Sequence, residues 1–134
     1  MTDETETAAK KARVLVIDDD ELVREALRAV LESGGYEVLS AADGNEGIRV
    51  FEAEHTAIII TDIVMPNREG IETIGELRRI APDAKIVAIS GGGQRGSTDY
   101  LRAAELLGAD RTLRKPFTSE EILAVTKELL ASDK

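Results

Sequence analysis

The sequence predicts an α/β fold in which a parallel sheet of five strands carries helices on both faces. Short apolar runs alternate five times with longer segments in which apolar residues recur every three or four positions. These are the periods of strands and of amphipathic helices. Runs such as 14–17 and 57–60 are continuously apolar, as strands buried on both faces should be. Parallel neighbours also need long right-handed crossovers, which the intervening helices provide.

The predicted strands are short apolar runs that end at polar or turn-forming residues. In chain order they cover residues 14–17, 36–41, 57–61, 85–90 and 111–113. A helix follows each of them. The first helix stops at the pair Gly34 and Gly35, because glycine favours the C-terminal end of a helix. The last helix spans 118–131, and its opening residues Thr118 and Glu121 have the spacing of a capping box.

The first four helices are indicated by apolar residues that fall on one helical face. These residues are Leu22, Leu27 and Leu31 in the first helix, Ile48 and Phe51 in the second, Ile71, Ile74 and Leu77 in the third, and Tyr100, Leu101, Ala104 and Leu107 in the fourth. The third helix ends at Ala81-Pro82-Asp83, where proline and the polar residue favour a turn.

The composition is that of one globular domain, and it excludes several classes of function. The chain has 134 residues, of which 43% are hydrophobic and 32% charged. With 17 Lys and Arg against 26 Asp and Glu, the formal net charge of -9 disfavours binding to nucleic acid or to an anionic membrane. Cysteine is absent and His55 is the only histidine, which excludes disulfides, cysteine nucleophiles and imidazole metal sites.

The two ends of the chain complete this domain outline. Residues 1–12 are polar, mixed in charge and without an apolar period, so we expect a flexible tail before a domain at 13–131. No signal peptide or apolar run of ~18 residues is visible, and we therefore expect a cytoplasmic protein without a membrane segment. Because three residues follow the last helix, we expect a stand-alone domain.

Polar side chains stand where the predicted strands end. Asp18 and Asp19 follow the first strand, Asp62 follows the third, Ser90 ends the fourth, and Lys115 follows the fifth. In an open doubly wound sheet, ligands bind beyond these carboxyl ends. Capping of the following helices explains some of the carboxylates, but three of them crowded on neighbouring strands repel one another unless a cation lies between them. An open site with only oxygen ligands favours Mg²⁺.

Four motifs give the chain a family resemblance. They are VLVIDDD at 14–20, IIITDIVMPNREG at 58–70, AIS at 88–90 and LRKPFT at 113–118. With these motifs, residues 13–131 resemble a receiver domain of the response regulators of two-component systems. The resemblance implies a flavodoxin-like fold with the strand order 2-1-3-4-5, like that of the stand-alone chemotaxis regulators.

The resemblance also implies roles for particular residues. Asp62 would be the phosphoacceptor, Ser90 and Lys115 would assist at the phosphoryl group, and the Lys115-Pro116 peptide bond would be cis. Mg²⁺ would be held by Asp18, Asp19, Asp62 and the backbone carbonyl of Val64. The phosphoryl donor would be a phosphohistidine on a sensor histidine kinase or a histidine phosphotransfer protein, and the phosphorylated form would act on a downstream protein target.

The expected function is therefore phosphorelay signalling by a single-domain response regulator, which catalyses only its own phosphorylation and dephosphorylation. A receiver-like docking module that works without phosphate is the alternative, because Thr112 stands where receivers usually carry a switching aromatic residue. A magnesium-dependent phosphatase on a similar sheet is a third possibility, for which no substrate domain is visible. The glycine-rich run at 91–96 matches a dinucleotide fingerprint, but it follows the fourth strand instead of the first.

Overall fold

The computed structural model describes residues 12–63, 70–91 and 97–131 and contains five strands that alternate with five helices. The strands are β1 (Arg13–Ile17), β2 (Glu37–Ala41), β3 (Ile58–Asp62), β4 (Lys85–Ser90) and β5 (Arg111–Arg114). The helices are α1 (Glu21–Ser33), α2 (Gly44–Glu54), α3 (Gly70–Ile80), α4 (Ser97–Leu107) and α5 (Ser119–Ala131). Each predicted element is therefore present, and the ends given for the strands and for the last helix differ from the prediction by at most one residue.

The strands form one parallel sheet in the order β2-β1-β3-β4-β5, which confirms the predicted fold class and strand order. The central strands β1, β3 and β4 are buried almost throughout, as their continuous apolar sequences require. The edge strands are less buried. None of the helices in the described ranges is long and apolar enough to span a membrane.

Helices cover both faces of the sheet, and a separate apolar layer fills each side. Alternate residues of the strands point to opposite faces, so Leu15 and Ile17 pack against α2, α3 and α4, while Val14 and Val16 pack against α1 and α5. Both layers are mainly aliphatic, as the low aromatic content of the sequence requires. The sheet is thereby packed between two apolar layers, and the residues that follow its strands lie beyond them.

Side chains cap the starts of α1 and α5. The carboxylate of Asp20 accepts the Leu22 N–H at 2.9 Å and caps α1. At the start of α5, the Thr118 hydroxyl accepts the Glu121 N–H at 3.0 Å, and the Glu121 carboxylate accepts the Thr118 N–H at 2.9 Å. This is the reciprocal pattern of the predicted capping box.

Arg78 of α3 ties together the loops at the amino ends of β4 and β5. Its guanidinium donates to the carbonyl oxygens of Ala84, at 2.9 Å, and Gly108, at 2.8 Å. It also pairs with the Asp110 carboxylate at 2.8 Å, which in turn accepts the Ile86 N–H at 2.8 Å. The network fixes the end of the sheet opposite the polar strand ends, and no periodic pattern in the sequence indicates it.

Gly47 of α2 allows that helix to approach the last residue of β1. A Cβ atom at position 47 would lie 2.4 Å from Cδ1 and 2.8 Å from Cγ1 of Ile17, whose side chain is fully buried. A methyl group there would push Ile17, and Ile17 directly precedes Asp18. The glycine therefore serves close packing beneath the polar strand ends.

Gly47→Ala should lower the free energy of unfolding by about 1 kcal/mol, because overpacking of about 1–3 kcal/mol outweighs the better helix propensity of alanine. Gly75→Ala in α3 is the matched control, since a Cβ atom there meets nothing within 4 Å. The control should gain about 0.5–1 kcal/mol. Urea unfolding of both variants measures the difference, and equal stabilisation by the two substitutions would contradict the packing explanation.

Candidate functional site

The register of the parallel strands brings Asp18, Asp62, Ser90 and Lys115 to one edge of the sheet, where the carboxyl ends of the strands lie. Ile17 of β1 is paired with Thr61 of β3, so the residues that follow them, Asp18 and Asp62, lie side by side. On the other side of β3, Ser90 of β4 is paired with Arg114 of β5, and Lys115 follows directly. Parallel pairing alone therefore places residues that are distant in the sequence at the same level of the sheet.

Three carboxylates converge at this edge. Carboxylate oxygens of Asp18, Asp19 and Asp62 all lie within 4.8 Å of one another. Asp18 is completely buried and Asp62 nearly so, whereas Asp19 is exposed. The cluster therefore combines two buried carboxylates with one that is open to solvent.

Lys115 places a positive charge against the two buried carboxylates. Its Nζ atom lies 3.2 Å from Oδ2 of Asp18 and 3.5 Å from Oδ2 of Asp62. The Lys115 side chain remains 25% exposed, so the ammonium is reachable from the solvent side. Among the residues that the structure describes, this ammonium contacts two of the three clustered carboxylates, so these four side chains together carry a net negative charge.

The surroundings of Asp18 hold its carboxylate in place. Its Oδ1 atom accepts the Asp20 N–H at 2.9 Å, while Oδ2 faces Lys115. Its main chain is also bonded, because the Asp18 N–H donates to the Ala41 carbonyl at 3.1 Å and Arg24 donates to the Asp18 carbonyl at 2.7 Å. The sequence prediction did not include Arg24, which has the position of an ordinary polar residue on α1.

Burial raises the pKa of the Asp18 carboxyl above its ordinary value, although the Asp20 N–H and the Lys115 charge act in the opposite direction. The Asp19 charge raises this pKa further. For Lys115, burial lowers the pKa, but the charges of Asp62 and Asp18 outweigh it, and the pKa of the ammonium is raised. The pKa of both partners is raised because they are buried to different depths. Burial outweighs the attraction at Asp18, which is the more deeply buried partner, whereas the attraction outweighs burial at Lys115.

Ser90 and Lys115 are joined through the main chain. Ser90 is 1% exposed, and its hydroxyl is oriented towards the Gly91 carbonyl at 3.4 Å. The Lys115 N–H donates to the Ser90 carbonyl at 2.7 Å. The peptide bond between Lys115 and Pro116 is cis, as predicted. The hydroxyl and the ammonium are thereby delivered to the edge that carries the carboxylates.

Other predicted features lie outside this cluster. Val64 and residues 92–96 of the glycine-rich run lie outside the described residues. Thr112 is half-buried on β5 and paired with Ala88. His55 follows α2 as its exposed C-cap residue, and it lines a cavity of about 430 Å³ at the amino ends of β3 and β4, together with Phe51 and other residues. None of the predicted site residues lines that cavity.

The chemistry of the donors suits a hard divalent cation. All three side chains offer carboxylate oxygens, and the exposed rim at Asp19 leaves room for water ligands. Mg²⁺ prefers such a site, in which one or two carboxylates hold it and water or phosphate completes the shell. The excess of carboxylates over ammonium groups also gives a cation a favourable electrostatic environment.

Lys115→Met should lower the free energy of unfolding by about 2–3 kcal/mol at neutral pH in a chelating buffer, because two buried carboxylates lose their cation. A raised carboxyl pKa means that stability is lost as the pH rises through that pKa. Removing the ammonium removes an effect that lowers the pKa of Asp18. The loss in free energy of unfolding, relative to wild type, should therefore be smaller at about pH 4.5 than at neutral pH.

Urea unfolding at the two pH values measures this deficit. Lys127→Met is the control, since Lys127 is exposed on α5, and it should change the free energy of unfolding by less than about 0.5 kcal/mol. A deficit for Lys115→Met that is the same at both pH values would show that the ammonium does not act on the carboxylates.

Comparison with known proteins identifies the family. The family model of the response regulator receiver domain matches residues 14–127. Response regulator MprA of Mycolicibacterium vanbaalenii is 37% identical over 118 residues, which cover 88% of this chain and 50% of that protein. MprA of Mycobacterium tuberculosis is 37% identical over 122 residues, which cover 91% of this chain and 52% of the relative. The chain thus spans about half the length of these curated relatives.

Solved structures agree with the sequence comparison. A CheY-like receiver domain protein from Methanospirillum hungatei superposes with a TM-score of 0.86 at 28% identity, covering 92% of this chain and 97% of that one. The chemotaxis protein CheY4 of Vibrio cholerae gives a TM-score of 0.81 at 28% identity, covering 89% and 98%. On the fold, the strand-end residues and these matches, the chain belongs to the response regulator receiver domain family.

Proposed function

We propose that this receiver domain accepts a phosphoryl group on Asp62 from a phosphohistidine partner, with Mg²⁺, and thereby changes its interactions with other proteins. The observation that carries the proposal is the meeting of three carboxylates within 4.8 Å, two of which face the same ammonium. Receiver domains are signalling modules, and a phosphoacceptor at this position would allow the chain to receive a signal as a phosphoryl group.

In the proposed reaction, a carboxylate oxygen of Asp62 attacks the phosphorus atom of the donor. The new O–P bond forms as the N–P bond of the phosphohistidine breaks, and the electron pair of that bond stays on the imidazole nitrogen. A carboxylate is a weak nucleophile, so positioning and charge neutralisation must supply most of the acceleration. No general base is required, because Asp62 attacks in its ionised form.

Lys115 and Ser90 would stabilise the charge on the transferred group. The Lys115 ammonium already lies 3.5 Å from the Asp62 carboxylate, close to where phosphoryl oxygens would be added. The Ser90 hydroxyl, oriented towards the Gly91 carbonyl at 3.4 Å, can instead donate to a phosphoryl oxygen after a rotation about χ1. Because both residues are held at strand ends, their main chains already lie where donors to the negatively charged phosphoryl oxygens are needed.

Asp18, Asp19 and Asp62, with the carbonyl of Val64, would hold Mg²⁺. When bound, the cation neutralises charge on the phosphoryl oxygens and helps to hold them in line. Asp18 would contribute a buried carboxylate whose Oδ1 atom accepts the Asp20 N–H. Asp19 would contribute a carboxylate at the solvent side. The proposed partners are a sensor histidine kinase or a histidine phosphotransfer protein upstream and a protein target downstream.

Incubation with acetyl phosphate and Mg²⁺ should add one phosphoryl group to the wild-type chain, since a small acyl phosphate can replace the protein donor in such a reaction. Intact mass spectrometry measures the adduct. Asp62→Asn should show none, because an amide cannot form the acyl phosphate, while its side chain keeps nearly the same shape. Omitting Mg²⁺ should greatly reduce the adduct.

Two outcomes would contradict this proposal. A chain that takes up no phosphoryl group would favour the phosphate-independent docking module, to which the half-buried Thr112 at the position of the usual aromatic residue also points. An adduct of the same size in Asp62→Asn would assign the phosphoryl group to another residue.

Mg²⁺ should raise the melting temperature of the wild-type chain, since a ligand at one hundred times its Kd stabilises the native state by about 2.7 kcal/mol. Asp19→Ala should abolish this rise. In a chelating buffer the same variant should be more stable than wild type, because it removes the repulsion between Asp19 and the buried Asp18. Thermal unfolding followed by circular dichroism measures both effects.

Glu25→Ala is a suitable control, because Glu25 is an exposed carboxylate on α1 that lies outside the three-carboxylate cluster. It should keep the full Mg²⁺ effect. A lower stability of Asp19→Ala in the chelating buffer would show that the acidic cluster is not strained, and an unchanged Mg²⁺ response would remove Asp19 from the site.

A further inference from the structure

We infer that Arg24 is a positioning residue of the cation site, which sets the Mg²⁺ affinity by holding the peptide group that joins Asp18 to Asp19. The inference deepens the proposed function and rests on its Mg²⁺ site. Arg24 would not contact the cation or the phosphoryl group. It would act on the main chain that carries two of the carboxylates.

The contact that supports this role is short and local. Nη1 of Arg24 donates to the main-chain carbonyl of Asp18 at 2.7 Å, a distance typical of a charge-assisted hydrogen bond. Arg24 lies at the end of the first turn of α1, where its own N–H donates to the Asp20 carbonyl at 3.0 Å. The side chain therefore reaches back across the loop between β1 and α1 and closes it.

The loop needs such a support because its two carboxylates are held unequally. The carboxylate of Asp18 has partners on both oxygens, from the Asp20 N–H and from Lys115. Within the described ranges, no hydrogen bond to the exposed Asp19 side chain is present, so the orientation of Asp19 depends on the main chain before it. Arg24 fixes the carbonyl of that same peptide group.

The placement of Arg24 is electrostatically unfavourable in other respects. A cation near the N-terminal end of a helix gains nothing from the helix dipole, which favours negative charge there. It also adds positive charge beside a site proposed to take up a divalent cation. Considered as a charge alone, Arg24 should therefore weaken Mg²⁺ binding, whereas as a positioning residue it should strengthen it. The two roles predict changes of opposite sign.

The experiment is a calorimetric titration of the chain with MgCl₂ at constant ionic strength. Arg24→Met keeps the aliphatic stem of the side chain but has no donor, and it should weaken Mg²⁺ binding about 10-fold or more. Arg24→Lys keeps a donor on a flexible stem and should restore much of the affinity. Circular dichroism establishes that each variant is folded.

Arg28→Met is the matched control. Arg28 lies one turn further along α1, and its guanidinium donates to the Val38 carbonyl at 2.9 Å, on β2 and away from the carboxylates. This variant removes the same charge and should leave the Mg²⁺ affinity unchanged. If Arg24→Met does not fold, Arg24→Gln replaces it with the same expected weakening, because the shorter amide cannot span the same distance.

The results separate the inference from the proposed function. If the wild-type chain binds no Mg²⁺, the cation site itself is wrong, and the inference fails with it. If the wild type binds but Arg24→Met binds equally or more tightly, the cation site stands and the positioning role is overturned. Weakening that is equal in Arg24→Met and Arg28→Met would likewise overturn it, because it would reflect a general loss of helix stability.

Discussion

The burial of two neighbouring carboxylates is the constraint on which the rest of the structure depends. Asp18 and Asp62 end adjacent parallel strands, and their charges are withdrawn from water beside a third carboxylate. Such an arrangement is unfavourable without a positive partner. Lys115, delivered from β5, supplies one in the described structure, and the remaining negative charge makes the site receptive to a divalent cation. The proposed phosphoryl chemistry would draw on this same imbalance of charge.

The scaffold around this edge is built to keep the carboxylates close. Two aliphatic layers clamp the sheet, Gly47 lets α2 approach Ile17 directly below Asp18, and Arg24 closes the loop above it. At the far end of the sheet, Arg78 and Asp110 fix the loops that lead into β4 and β5. Rigid strand ends set the positions of the residues in the proposed site, so these positions do not depend on loop geometry alone.

Much of this organisation can be predicted from the sequence, because it depends on local patterns. Apolar periodicity predicts the strands and helices, the Thr118 and Glu121 spacing predicts a capping box, and polar residues after apolar runs predict the acidic edge. Hydrogen bonds from Arg24 and Arg78 to main-chain carbonyls were not predictable in this way. They depend on how segments pack in three dimensions, and an arginine on a helix has the same sequence appearance whether it contacts water or a loop carbonyl.

Family membership and the geometry of the strand ends both support the proposed function. The receiver match covers residues 14–127, and the register of the sheet independently brings Asp62, Asp18 and Lys115 together. The central claim is that Asp62 carries the phosphoryl group. Borohydride reduction of the phosphorylated chain, followed by peptide mass mapping, tests it most directly, because an aspartyl phosphate is reduced to homoserine. Homoserine is expected at position 62, and homoserine at position 18 or 19 instead would contradict the assignment of the phosphoryl group to Asp62.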